Sequence, residues 1–163
     1  MSTHHAFPAS GHDHGACTAD LLARAERICT RRGSRLTPLR REVLEVVAES
    51  HEAAGAYEII ERMARHGPRP APMTVYRALE FLASHDLVHK IESRNAFVAC
   101  TSHHAEGAAV LLVCERCGQV AELSAGPLVE NVRAQAAATG FKPSRLVAEV
   151  LGLCAACAGG APS

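Results

Sequence analysis

The sequence predicts an α+β chain, with an N-terminal winged helix-turn-helix domain followed by a C-terminal α/β domain. Three observations carry this reading. Apolar residues recur at helical spacing through four successive stretches between Ala19 and His85. Two short runs rich in Val, Ile and Phe then flank a polar turn, as in a β-hairpin. Beyond them the texture changes to short apolar strands, one further helix and two Cys-x-x-Cys pairs.

Residues 1–18 carry His4, His5, His12 and His14 with glycine and Pro8 and show no period, which marks a mobile tail. From Ala19, residues Leu21, Leu22, Ala25, Ile28 and Cys29 form one apolar stripe that stops at Gly33, the first helix. Thr37-Pro38 starts a second: the hydroxyl can cap the first turn, and proline loses no hydrogen bond at the first helical position. Leu39, Val43, Val46 and Val47 supply its buried face. Tyr57, Ile59, Ile60 and Met63 make a short third helix that ends near Gly67, and the Pro68, Pro70, Pro72 stretch connects it to a fourth. In that fourth helix, about Met73 to His85, the stripe Val75, Ala78, Leu79 and Leu82 puts Arg77, Glu80 and Ser84 on the outer side. Leu87–Glu92 and Ala96–Cys100 are two strands around Ser93-Arg94-Asn95. The fourth helix is then a recognition helix and the hairpin a wing, although the same order also suits a small α+β domain with no nucleic-acid role.

After Cys100 come a loop with His103 and His104, strands at Val110–Val113 and Gln119–Leu123, a helix from about Pro127 to Ala138, and a last strand, Arg145–Leu151. The domains expected are therefore a tail over 1–18, a winged helix over 19–100 and an α/β domain over 101–163.

Composition narrows the function. The 163 residues hold 17 Lys+Arg and 17 Asp+Glu with 48% hydrophobic residues, enough for a buried core. The longest apolar stretch, Ala108 to Cys114, is far too short to span a membrane, and no secretory signal opens the chain, so the cytoplasm is the expected compartment. Charge is uneven: between Arg24 and Arg41 seven arginines (Arg24, Arg27, Arg31, Arg32, Arg35, Arg40, Arg41) face one glutamate, Glu26. Such a block is either a phosphate-facing surface or a solvated helical face. Six aromatics in the whole chain are too few for base-stacking platforms, which disfavours single-stranded nucleic acid. No Ser-His-Asp order, phosphate loop or paired carboxylates point to an enzyme or to a small-molecule substrate.

Seven cysteines without an export signal point to metal or redox chemistry rather than disulfides. Cys114/Cys117 and Cys154/Cys157 offer four soft thiolates at the spacing of a closed tetrahedral zinc site, with Gly118 suited to the knuckle turn. A thioredoxin-like pair would need one of them at a helix N-terminus after a strand, whereas both are expected at strand ends. A second donor set is His89, Cys100, His103 or His104, and Glu122. By alternation His89 faces inward with Leu87 and Ile91, where histidine is either a core residue or a ligand.

Five motifs in order resemble one family: Arg35-Leu-Thr-Pro-Leu-Arg40, Thr74-Val-Tyr-Arg-Ala-Leu79, Val88-His-Lys-Ile-Glu-Ser93, Cys114-Glu-Arg-Cys-Gly118 and Gly152-Leu-Cys-Ala-Ala-Cys157. The chain from about Ala19 to Cys157 is similar to the ferric uptake regulator family of bacterial metal-dependent repressors, and within it to the zinc-uptake branch. The resemblance implies a homodimer whose α/β domain is the dimerisation domain, binding double-stranded operator DNA. It implies one structural zinc on Cys114, Cys117, Cys154 and Cys157, and one regulatory zinc on His89, Cys100, Glu122 and a loop histidine, His104 with His103 as rival. A site with the Cys100 thiolate is softer than the sets that iron and manganese prefer, which argues for zinc. The candidates for DNA contact are Arg77 to bases or phosphates, Tyr57 and Tyr76 to the backbone, and Arg40 and Arg41 to phosphates. The expected function is repression of zinc-uptake genes when zinc is plentiful. The alternatives are a regulator of the same family sensing iron or peroxide, and a redox or zinc-storage protein using its Cys-x-x-Cys pairs.

Overall fold

The computed structural model describes residues 7, 14–101, 108–123 and 126–159. The chain forms two units, one of Ala9–Thr101 and one of Ser102–Ser163 together with Met1–Pro8.

The first unit opens with α1, His14–Arg31. It starts five residues ahead of Ala19, so part of the stretch expected as a tail is helical; Gly15 to Thr18 contain no proline to stop a helix, and so short a run is too brief to show a helical period. Gly33, at φ +63°, ends it in the left-handed conformation, with the Ser34 amide closing onto the Cys29 carbonyl at 2.9 Å. α2, Pro38–Ala48, is capped by the Thr37 hydroxyl, which accepts from the Arg40 amide, and has proline in its first turn. It buries Val43, Leu44, Val46 and Val47.

The two-residue strand β1 (Ala54–Gly55) leads into α3, Ala56–Met63, which buries Ile59, Ile60 and Met63. α4, Pro72–Ser84, buries Val75, Ala78, Leu79 and Leu82, the stripe expected from its spacing. After Asp86, which adopts φ 55°, come β2 (Val88–Ile91), a single 3-10 turn at Glu92–Arg94, left-handed Asn95 and β3 (Ala96–Ala99). Aspartate and asparagine are the residues that tolerate this conformation at low cost.

The sheet runs β1-β3-β2 and is antiparallel, with Val88 opposite Ala99 and Ala54 opposite Phe97. The third strand was not legible in the sequence, since two residues are too few to show alternation. Val88, Phe97 and Ala99 turn one face of the wing to the helical core formed with Leu44, Ile60, Leu79 and Leu82.

The second unit contains β4 (Ala108–Cys114), β5 (Val120–Leu123), α5 (Gly126–Ala138), β6 (Leu146–Gly152) and the four-residue α6 (Ala155–Ala158). Its sheet runs β5-β4-β6. β4 and β5 form an antiparallel hairpin, while β6 returns parallel to β4 after the α5 crossover. Burial concentrates on β4 and β5, at Val110, Leu111, Val113, Cys114, Val120 and Ala121; α5 and β6 contain no buried residue.

Candidate metal centres and nucleic-acid interface

The parallel pairing of β4 with β6 aligns Cys114 with Gly152, which brings Cys154, two residues further on, to the first Cys-x-x-Cys turn. That turn closes by the Gly118 amide donating to the Cys114 carbonyl at 3.0 Å, with Gly118 at φ +76°. The four sulfur atoms of Cys114, Cys117, Cys154 and Cys157 lie within 4.8 Å of one another. The Cys154 amide points at Cys114 Sγ, at 3.3 Å, and Arg116 donates to the Cys157 carbonyl at 2.6 Å, closing the second turn onto the first. Phe7 packs against this cluster, so the segment expected as a mobile tail contributes an apolar cover.

Four thiols in so small a volume cannot all ionise without a cation. Burial pushes the Cys114 thiol up, but the backbone amides of Cys117, Cys154 and Arg116 outweigh it and bring the group down to about 6. Burial, then the neighbouring thiols Cys154, Cys117 and Cys114, push Cys157 up to about 12, and burial also raises Cys117. One thiolate is therefore favoured while Cys117 and Cys157 resist ionisation, the imbalance that a divalent ion with tetrahedral thiolate preference removes. The donor set fits zinc. Cys154 is the N-cap of α6 rather than a strand-end residue, so one pair does sit at a helix start after a strand. With two further thiols converging on it, that pair has the geometry of a closed metal site and not of a two-cysteine redox centre.

Of the second donor set, the first unit supplies His89 and Cys100. The Cys100 amide donates to the Leu87 carbonyl at 3.0 Å, extending the β2–β3 ladder by one step. Residues 89 and 91 then share a face with 96, 98 and 100, so imidazole and thiol are diagonal neighbours on the wing face opposite the one carrying Val88, Phe97 and Ala99. Both are buried, as is Arg24, whose guanidinium donates to the Cys100 carbonyl. This inward placement of Arg24 beside Cys100 is hidden by a plain charge count. Its signal was positional: Arg24 falls three residues after Leu21 and four before Ile28, on the apolar stripe of α1 rather than its polar face. Glu122 is half-buried on β5 of the second unit, while His103 and His104 lie outside the described residues.

On α4, Arg77 is exposed and Tyr76 half-buried, and on α3 Tyr57 is 62% exposed. The arginine block is less uniform than its composition suggests. Arg41 pairs with Glu26, Arg32 bonds the Ser84 carbonyl at 2.7 Å and Asp86 at 3.3 Å, and Arg40 lies over the Phe81 ring. With buried Arg24, four of its seven side chains are engaged within the unit.

A winged helix with an arginine on the outer side of its recognition helix, carried on one chain with a four-thiolate metal centre, defines the class of metal-binding winged-helix proteins. The comparisons place it more narrowly. The model of the ferric uptake regulator family matches residues 31–150, and the chain belongs to that family. It is 40% identical over 141 residues to the zinc uptake regulation protein of Escherichia coli (strain K12), covering 86% of this chain and 82% of the relative. Among solved structures it is similar to a zinc uptake regulator complexed with zinc and DNA, with TM-score 0.80 and 40% identity over 87% of this chain and 95% of that one. It is also similar to holo XcZur, with TM-score 0.76 and 43% identity over 86% and 98%. No helix among the described residues is long and apolar enough to cross a membrane.

Proposed function

We propose that the protein is a zinc-responsive dimeric transcriptional repressor that binds double-stranded operator DNA when zinc-loaded and silences zinc-uptake genes, acting in the cytoplasm and not as an enzyme. The observation that carries this reading is the pairing of a buried imidazole and a buried thiol, His89 and Cys100, on one face of the wing of a DNA-binding module. A thiolate–imidazole pair selects zinc over the harder ions iron and manganese. The likeness to zinc uptake regulators supports the same choice.

In this reading Cys114, Cys117, Cys154 and Cys157 hold a structural zinc, and His89, Cys100 and Glu122 with His104, or His103 in its place, hold the regulatory one. The structural ion supplies folding energy to the second unit. The regulatory ion ties the wing in place beforehand, so that less ordering entropy is lost when DNA binds. Arg24 holds the Cys100 carbonyl and thereby the thiol. The exposed apolar residues Leu128, Val132, Val147, Val150 and Leu151 of α5 and β6 suit a two-fold contact with a second copy. Two copies of α4 then reach successive major grooves about one helical turn apart, Arg77 contacting bases or phosphates and Tyr57, Tyr76, Arg40 and Arg41 the backbone.

The test is fluorescence anisotropy of a zinc-uptake promoter fragment with the protein titrated separately by buffered free zinc, iron(II) and manganese(II). Binding switched on by zinc at far lower free concentration than by the other two is expected. Equal response to all three, or binding to the fragment with no second ion loaded, would overturn the reading.

A further inference from the structure

We infer that His85 is a positioning residue for DNA binding: together with Phe81 it holds the Arg40 guanidinium flat and aimed for a phosphate contact. The inference rests on the DNA-binding reading above and deepens it at a site formed between the end of the recognition helix and the start of α2.

The Arg40 guanidinium carbon stands 3.4 Å from the centroid of the Phe81 ring. The His85 ring is stacked on the same phenyl group, with centroids 4.0 Å apart and planes 29° from parallel. Two planar groups this close to one centroid cannot share a face of the ring, so Phe81 is sandwiched, arginine on one side and histidine on the other. The histidine is itself fixed from two directions. Its Nδ1 lies 2.9 Å from the Phe81 carbonyl oxygen, which can only accept, so Nδ1 donates. Its Nε2 lies 2.9 Å from Ser34 Oγ, in the loop between α1 and α2. Arg32 clamps the same helix end through the Ser84 carbonyl and Asp86, and Ser34 is tied by its amide to Cys29. The result is a continuous stack from loop to histidine to phenyl ring to guanidinium.

Arg40 Nη1 donates to the Arg35 carbonyl at 2.6 Å, and stacking engages only the face of the group. A guanidinium has five N–H donors in its plane, so the outer edge keeps a fork for the two oxygens of a phosphate. A long arginine normally loses much rotamer freedom on docking; held flat on a ring, it has already lost it before DNA arrives. Phe81 and His85 sit on the part of α4 beyond Arg77, so the helix that presents Arg77 also fixes a phosphate anchor on its neighbour.

The test uses the full-length zinc-loaded protein and a duplex that the wild-type protein itself selects from a random-sequence library. Affinity is measured across a salt series for wild type, Arg40→Ala, His85→Ala, His85→Phe and the double variant Arg40→Ala/His85→Ala, with melting temperatures alongside. Arg40→Ala is expected to lower the salt slope by about one per protomer. His85→Ala is expected to weaken binding about three- to tenfold and lower the slope in the same direction, the size of a lost cation–π arrangement. His85→Phe, which keeps the stack, should restore most of it, and the double variant should bind no worse than Arg40→Ala alone. A His85→Ala protein that melts earlier but keeps wild-type affinity and slope would make the histidine merely structural and overturn the inference. So would fully additive losses in the double variant, or an Arg40→Ala protein that binds as wild type. Failure of the wild type to select any duplex would instead overturn the functional reading, and the inference with it.

Discussion

Replacing Cys154 by serine should unfold the second unit while leaving the first intact. The structure sets the scale. In the second unit only four large aliphatic side chains, Val110, Leu111, Val113 and Val120, are buried among the described residues, and α5 and β6 bury none. At about 1.5–3 kcal/mol each, these contribute about 6–12 kcal/mol before any ordering cost is subtracted. A structural zinc site is worth about 10–16 kcal/mol, at least as much as that whole apolar core. Losing Cys154 removes one of the four thiolates, while the backbone amide of residue 154 that points at Cys114 Sγ is retained. Hydrogen exchange read by mass spectrometry, with zinc counted per chain, is the assay. The variant should lose one zinc, and amides of β4 and β6 should exchange at the rate of an unfolded chain. Those of α2 and α4, in the separate core around Leu44, Ile60 and Leu79, should stay protected. A variant that loses the ion yet keeps slow amides across β4 and β6 would refute the argument that ligation energy holds this unit together.

Three further outcomes follow from single side chains. Arg77→Ala should weaken operator binding by about 1–3 kcal/mol if the arginine reads a base, or lower the salt slope by about one if it meets a phosphate; a salt titration separates the two. Leu79, fully buried on α4, should cost about 2–5 kcal/mol on truncation to alanine, seen as a lower denaturant midpoint for the first unit. Thr37→Ala should cost about 1 kcal/mol by leaving the first turn of α2 uncapped, with no change in zinc content.

The elements that the sequence made legible are those whose burial is one-sided and regular. The stripe Val75, Ala78, Leu79, Leu82 is the buried face of α4, and Thr37-Pro38 opens α2 as its chemistry requires. Where local chemistry is silent, long-range pairing decides. β1 exists because Ala54 and Gly55 pair with Ala96 and Phe97, and nothing in two small residues announces that. The start of α1 at His14 and the short α6 at Ala155–Ala158 are likewise not marked by any apolar period.

Among site residues, the four cysteines were legible because a metal dictates both residue type and spacing. Their convergence depends on the parallel register of β4 with β6, a relation between segments far apart in the chain. The arginine block misled in the opposite sense, since composition counts charge but not direction. Arg24 points inward to the Cys100 carbonyl, and Arg41 is paired with Glu26.

The most direct test of the central claim is to titrate wild type and Cys100→Ser with buffered free zinc, following operator binding and zinc per protomer together. Wild type should bind DNA only as its second zinc loads, and the variant should keep one zinc and fail to bind at any free zinc level that switches wild type. Equal binding by both proteins at every zinc concentration would contradict the claim, leaving Cys100 as a core residue of the wing.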